Sequence, residues 1–167
     1  MTGPGAVVWI TGLPGSGKST LAARLSERLA RAGRATALLD GDAVRGALVP
    51  APGYAPAERD AFYATLGRLA ALLSAQGLLV LVAATAPRRA HRDEARRLAP
   101  RFVEVWVRTS AEDCARRDTK GLWALGRSGA APHLPGIGAP YEPPARPEVS
   151  AAGGEDREAV ERVLSLV

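Results

Sequence analysis

Short apolar runs alternate with amphipathic segments along most of this chain. Residues 6–11 and 78–84 are almost entirely apolar, which is typical of strands buried on both faces. Between such runs, apolar side chains recur at helical spacing, as Leu21, Leu25 and Leu29 do. This alternation predicts an α/β fold, a doubly wound parallel sheet with flanking helices. In such a fold the functional site lies at the carboxyl ends of the strands.

The order of the predicted elements follows from this pattern and from the turn residues between runs. The predicted strands cover about 6–11, 35–39, 78–84 and 102–107, with a further short strand near Glu148. The predicted helices cover about 18–32, a turn at 44–48, 58–76, 87–98, a short segment after Ser110, and 155–166. Gly33 and Gly77 stand where the first and third of these helices are expected to end.

Residues 118–147 interrupt the alternation. They are rich in Gly and Pro, and a long irregular segment inside a compact domain is usually a lid or a binding loop. Lys120, Trp123, His133 and Tyr141 give this segment side chains that could bind a ligand. We therefore predict a lid at about 118–147, with a disordered linker as the alternative.

A glycine-rich segment stands where the first strand meets the first helix. It reads G-x-x-x-x-G-K-S, the phosphate-binding P-loop. Glycines allow successive backbone N–H groups to point at one anion, and the helix adds its positive N-terminal end. Lys18 is predicted to reach the β- and γ-phosphates of ATP, and Ser19 to hold Mg²⁺. The predicted ATP-binding residues of this loop are Gly12, Leu13, Pro14, Gly15, Ser16, Gly17, Lys18, Ser19 and Thr20.

Other features narrow the class of P-loop protein. The chain contains no Asn, which argues against the Asn-Lys-x-Asp motif of GTPases. The strand 78–84 lacks the terminal acid that ATPases use for Mg²⁺. Acids instead follow the second strand, at Asp40 and Asp42, where either could orient or deprotonate an acceptor hydroxyl or hold water on Mg²⁺. The alternative for these acids is an ordinary Asp-Gly turn. Arg45 and Arg59 are candidates for gripping an anionic acceptor.

Composition adds the expected partners and compartment. The net charge is +5, but the basic residues are spread along the chain, which favours an anionic small molecule over nucleic acid. Lys18 and Lys120 are the only lysines among 22 basic residues, which suggests that each is needed as a compact point charge. The lone Cys114 is expected to be a small buried residue. One domain, 1–167, is predicted, cytoplasmic and without a membrane partner, because no signal segment or long apolar run is present.

Four segments of the chain resemble the adenylylsulfate (APS) kinases. They occur in order at 12–20, 39–45, 117–122 and 140–144, and the last two are more specific than the P-loop. The resemblance implies a P-loop kinase fold that transfers the ATP γ-phosphate to the 3′-hydroxyl of APS, giving PAPS. It also implies Mg²⁺ and commonly a homodimer. One alternative is a kinase of this fold that phosphorylates a different small alcohol or nucleotide-like acceptor. Another is a non-catalytic nucleotide-binding module.

The resemblance also implies roles for single residues. Lys18, Asp42 and Lys120 would serve catalysis, and Arg117 would join the ATP site. The implied acceptor-site residues are Asp40, Asp42, Arg45, Tyr54, Arg59, Phe62, Thr85, Lys120 and Leu134. The presence of Lys18, Ser19, Asp42 and Lys120 together argues against a non-catalytic module.

Several positions at the acceptor site depart from the family pattern. The family has Phe at Tyr54, a second aromatic residue near Leu134, and Asn at Val49 and Phe62; Ala86 replaces a Ser that some members can phosphorylate. The ATP site keeps the family residues. We therefore predict weaker stacking and hydrogen bonding to the adenylyl group than the family pattern implies.

Overall fold

Five parallel strands form the centre of the molecule, and helices cover both faces. The computed structural model describes residues 5–118 and 120–167. The strands are β1 (Ala6–Thr11), β2 (Thr36–Asp40), β3 (Leu79–Ala83), β4 (Phe102–Val107) and β5 (Val149–Ala151). The helices are α1 (Lys18–Arg31), α2 (Gly41–Ala47), α3 (Pro56–Ala75), α4 (Arg89–Leu98), α5 (Ala111–Arg117), α6 (Leu122–Arg127) and α7 (Arg157–Leu164). The strand order is β2-β3-β1-β4-β5, with parallel pairing throughout, so the predicted α/β sheet is confirmed.

The sheet separates two hydrophobic cores because alternate residues of β1 point to opposite faces. Val8 and Ile10 pack with Leu25 of α1 on the face that α7 also covers. Val7 and Trp9 lie on the other face, which α3 and α4 cover. Each fully buried side chain of this size contributes roughly 1.5–3 kcal/mol, so both layers are strongly held to the central strands. The loops at the carboxyl ends of β1 and β2 therefore start from a rigid base.

Two helices differ clearly from the prediction. The expected turn at 44–48 is part of α2, which begins at Gly41 because the Asp40 side chain accepts from the backbone N–H groups of Asp42 and Ala43. The Asp-Gly pair therefore starts a helix, and the alternative of an ordinary turn is wrong. Pro56, expected in the preceding loop, opens α3, a position that suits proline because its missing N–H needs no partner there.

Segment 118–147 is more ordered than its composition predicts. The expectation of irregular structure is wrong at α6, which the Asp118 carboxylate caps by accepting from Trp123 N and Ala124 N, both at 2.9 Å. At the far end of the segment, Glu142 N donates to Pro87 O at 2.7 Å and Arg89 Nε donates to Pro143 O at 2.7 Å. These bonds fix the end of the segment to the start of α4, so a moving lid would have to hinge before Glu142.

Two of the predicted regions include residues that the structure does not describe. Thr119, in the lid segment, and residues 1–4 of the predicted single domain lie outside the described residues. Within the described ranges, no helix combines the length and apolar character that crossing a membrane requires.

Candidate active site

A cavity of about 650 Å³ opens at the carboxyl ends of β1, β2 and β3, where the sequence predicted the site. It lies between the P-loop, the starts of α2 and α3, and segment 118–147. Most of the predicted residues line it: Pro14, Gly15, Gly17, Lys18, Ser19, Thr20, Asp40, Asp42, Arg45, Tyr54, Arg59, Phe62, Thr85, Arg117, Lys120 and Leu134. Gly12, Leu13 and Ser16 are not among its lining residues. Ser16 N donates to Leu13 O, so this part of the P-loop shapes the turn from beneath.

The P-loop has the backbone that an anion site needs. Gly15 and Gly17 have φ values of 78° and 104°, in the left-handed region that favours glycine. A Cβ at Gly17 would lie 2.6 Å from the backbone nitrogen of Gly154, so a larger residue does not fit. Helix α1 begins at Lys18 without a side-chain cap at Gly17, so the N–H groups of its first turn remain available to an anion in the loop.

The Lys18 ammonium lies over the loop. Its Nζ donates to the carbonyl oxygens of Gly12 at 3.1 Å and Leu13 at 2.8 Å. Burial lowers the pKa of Lys18 to about 8. Within the described residues, Lys18 forms no ion pair with a carboxylate. A polyphosphate in the loop would supply the negative charge that this site lacks.

The two acids after β2 occupy different positions. Asp40 Oδ2 accepts from Ser19 Oγ at 2.6 Å, while its Oδ1 caps α2. Asp42 Oδ2 instead accepts from Lys120 Nζ at 2.5 Å. This contact raises the pKa of Lys120 through the hydrogen bond to Asp42. Asp40 therefore belongs to the P-loop side of the cavity, and Asp42 faces segment 118–147.

Segment 118–147 lies against the P-loop through Trp123. The indole Nε1 donates to Pro14 O at 2.8 Å, and the ring is buried with Cys114 and Leu134. Cys114 is fully buried, as predicted. Leu134 is only 7% exposed, so it contributes mainly to the packing of the segment although it also lines the cavity. His133, the next residue, is exposed and lines the same cavity.

An aromatic and cationic cluster forms the other end of the cavity. The guanidinium carbon of Arg45 lies 4.3 Å from the centre of the Tyr54 ring and 4.0 Å from that of Phe62. Its Nη1 donates to the carbonyl oxygens of Pro52 and Gly53. The Arg59 guanidinium carbon lies 5.9 Å from the Tyr54 ring centre. Burial, with a smaller contribution from Arg45, lowers the pKa of Arg59.

A buried network that sequence reasoning missed supports the cavity floor. Thr11 Oγ1 donates to Thr85 O at 2.6 Å and lies 2.9 Å from the Tyr141 hydroxyl. Arg92 is fully buried and donates to the carbonyl oxygens of Ala86 and Glu142. Arg92 thus links the loop after β3 to the anchored end of segment 118–147. The Tyr-Glu-Pro-Pro segment at 141–144 was the sequence signal for this part of the structure. It did not show which residues the segment contacts.

Comparison with known proteins identifies the family. A family model described as adenylylsulphate kinase matches residues 4–152. The chain belongs to the adenylylsulphate kinase family. The adenylyl-sulfate kinase of Synechococcus sp. (strain JA-2-3B'a(2-13)) is 42% identical over 149 residues, 89% of this chain and 85% of the relative. That of Vibrio vulnificus (strain YJ016) is 43% identical over 164 residues, 97% of this chain and 78% of the relative.

A solved adenylylsulphate kinase has the same fold. The Mycobacterium tuberculosis APS kinase CysC, whose structure is a complex with AMPPNP and APS, superposes with a TM-score of 0.90 and 37% identity. The match covers 98% of this chain and 97% of that one. The family resemblance inferred from four sequence segments is therefore confirmed, as is the P-loop kinase fold. The roles of single residues in this chain stay predictions.

Proposed function

We propose that this chain is an ATP-dependent kinase that phosphorylates the 3′-hydroxyl of APS to give PAPS. Family membership supports this activity. The observation that carries it is that one cavity joins the P-loop, with Lys18, to a second anion site built from Arg45 and Arg59. Asp42 lines the same cavity, and its side chain is largely exposed. A kinase needs this arrangement because donor phosphate and acceptor hydroxyl must meet in line.

The arginine pair supports an anionic acceptor. Neither Arg45 nor Arg59 forms an ion pair with a carboxylate in the part of the chain that the structure describes. Arg45 is buried, and a buried cation is usually compensated by a counter-charge, because desolvation of an isolated charge is costly. The phosphosulfate group of APS carries two negative charges and would supply that compensation. It also offers oxygen pairs that match the fork of a guanidinium.

The chemistry follows from the positions of the protein groups. Lys18 and the N–H groups at the start of α1 stabilise the negative charge of the γ-phosphoryl group during transfer. The oxygen of the acceptor hydroxyl bonds to the γ-phosphorus, and Asp42 accepts the proton of that hydroxyl. The bond between the γ-phosphorus and the β-phosphate oxygen breaks, which releases ADP. Before the proton transfer, Lys120 moves from Asp42 toward the phosphates, which frees the carboxylate to accept the proton.

The oxygen atoms beside the P-loop suit Mg²⁺. Ser19 Oγ and Asp40 Oδ2 lie 2.6 Å apart, and Mg²⁺ prefers such hard oxygen ligands together with substrate phosphates. We propose that Ser19 would hold the ion directly and Asp40 would orient the Ser19 hydroxyl or a water. The ion would neutralise phosphate charge. A homodimer, a cytoplasmic location and the single domain 1–167 stay predictions.

We expect segment 118–147 to lose amide exchange when both substrates bind. Closure would bring Lys120 to the phosphates and exclude water from the cavity. When AMPPNP and APS are both bound, hydrogen–deuterium exchange of the backbone amides should be slower between residues 120 and 140. The amide of Glu142 serves as an internal control, since it already donates to Pro87 O before any ligand is added. Exchange that is unchanged from 120 to 140 in the ternary complex would contradict a lid.

The departures at the acceptor site predict a higher KM for APS than the family pattern implies. Loss of one stacking ring costs about 1–3 kcal/mol, which corresponds to about 5- to 150-fold in affinity. Turnover should be followed as ADP release across a panel of alcohols that includes APS. In a parallel experiment, APS should be titrated into the enzyme that already holds ADP and Mg²⁺. Micromolar APS binding with rapid turnover would contradict the predicted weakening of APS binding. Turnover with another alcohol and none with APS would favour the alternative acceptor.

A further inference from the structure

Two aromatic rings contact the guanidinium group of Arg45. Tyr54, in the loop before α3, and Phe62, inside α3, have their ring centres 4.3 and 4.0 Å from its guanidinium carbon. Both distances lie well within the range of cation–π contacts, which strengthen when water is excluded. Arg45 is 8% exposed and Phe62 is 3% exposed, whereas Tyr54 is 55% exposed, so water is largely excluded from the contact between Arg45 and Phe62.

The hydrogen bonds of Arg45 leave one edge of the guanidinium free. Nη1 donates to Pro52 O at 3.3 Å and to Gly53 O at 2.8 Å. Nε and Nη2 carry three further N–H donors, and none of them has an acceptor among residues 5–118 and 120–167. This edge is the one that binds sulfate, phosphate or carboxylate with two parallel hydrogen bonds. Arg45 also lines the cavity, where such a group could reach it.

We propose that Phe62 is a positioning residue for the anionic group of the acceptor. Together with Tyr54 it fixes the plane of the Arg45 guanidinium, so that the free Nε–Nη2 edge meets a tetrahedral oxyanion such as the sulfate or phosphate of the acceptor. The identification of that anion with part of APS rests on the proposed function. The family pattern has Asn at position 62, and an amide offers no aromatic face to a guanidinium. This chain therefore exchanges a hydrogen-bonding side chain for one that rigidifies a neighbouring anion receptor.

The decisive variants separate the aromatic face of Phe62 from its packing. Phe62→Leu keeps an apolar side chain in the core but removes the π face, whereas Phe62→Tyr keeps the ring. Arg45→Lys keeps the charge but loses the planar fork. If Phe62 acts through Arg45, the double variant Phe62→Leu/Arg45→Lys should bind anion little more weakly than Arg45→Lys alone. Melting temperatures of the four variants, compared with that of wild type, report whether the fold is retained.

Binding of inorganic sulfate gives a readout that does not depend on turnover. Calorimetry should be done with saturating AMPPNP and Mg²⁺, so that the P-loop is filled and does not compete for sulfate. We expect Phe62→Leu to weaken sulfate binding about tenfold and to raise KM for APS by a similar factor, with KM for ATP unchanged. Phe62→Tyr should retain the wild-type sulfate affinity and the wild-type KM for APS.

The outcomes distinguish this inference from the proposed function. Equal sulfate affinity in wild type and Phe62→Leu would overturn the inference, and so would effects of Phe62→Leu and Arg45→Lys that add in full. A parallel rise of KM for ATP would also overturn it, because it would show a general structural role. If wild type binds sulfate through Phe62 and Arg45 but does not turn over APS, the inference stands and the proposed substrate is wrong.

Discussion

Replacing Lys18 with Ala is expected to lower kcat for phosphoryl transfer by about 10³-fold or more while the fold is retained. Removing one preorganised donor from a transition-state charge costs about 10²- to 10³-fold, and loss of a full cation costs more. Nζ of Lys18 contacts only the P-loop carbonyl oxygens of Gly12 and Leu13 among its hydrogen bonds in the described chain. No part of the core depends on it, so steady-state kinetics with saturating ATP should show the loss without a lower melting temperature.

Lys18→Met is the matched control for side-chain volume. It fills the same space without a charge, so it should be as inactive as Lys18→Ala. Burial lowers the pKa of Lys18 to about 8, so at neutral pH the ammonium is still charged but its charge is less favourable in the folded protein than in the unfolded chain. Removing the ammonium should therefore not destabilise the fold at neutral pH. Near wild-type turnover in either variant, with ATP saturating, would show that Lys18 does not act on the transferred group.

The unit formed by β1, the P-loop and α1 was predictable because its signals are local. An apolar run, a glycine pattern with one Lys, and leucines four residues apart follow each other directly in the sequence. Each signal also has a physical requirement behind it, such as the positive φ at Gly15 and Gly17. Strand β3 was found for the same reason, since a buried parallel strand is a continuous apolar run.

Helix α6 could not be predicted because its stabilising contacts come from elsewhere in the chain. It is six residues long, and its start depends on the Asp118 carboxylate. Trp123, one of its two buried residues, packs on Cys114 of α5 and donates to Pro14 O of the P-loop. A short helix held by tertiary contacts leaves little periodic signal in its own sequence.

The acceptor end of the cavity was predictable in its residues but not in their arrangement. The family resemblance named Arg45, Tyr54 and Phe62 one by one. Nothing in the spacing of a loop residue and a helix residue shows that both rings contact the same guanidinium. Likewise, the sequence left open which acid faces the acceptor. The geometry separates them because only Asp40 contacts Ser19, while Asp42 contacts Lys120.

Changing Asp42 to Asn is expected to lower kcat by about 10²- to 10⁴-fold while KM for ATP changes little. A carboxylate that accepts the hydroxyl proton acts mainly in the transition state, so its loss appears in kcat. Asp42 is well placed for this role because it faces the cavity and is free of the helix cap that occupies Asp40. The fold should be retained, since its ion pair with Lys120 is exposed and such pairs contribute little stability.

Two further variants test whether the loss in Asp42→Asn comes from the carboxylate itself. Asp40→Asn keeps an oxygen that can cap α2 but weakens the partner of Ser19, so it should raise KM for Mg–ATP more than it lowers kcat. Lys120→Met removes the ion pair but leaves the Asp42 carboxylate in place. If Asp42 acted only by holding segment 118–147 closed, Lys120→Met and Asp42→Asn would have equal kcat. A base role instead requires that Asp42→Asn lower kcat further than Lys120→Met does. If Asp42→Asn left kcat unchanged and only weakened ATP binding, Asp40 rather than Asp42 would be assigned as the base.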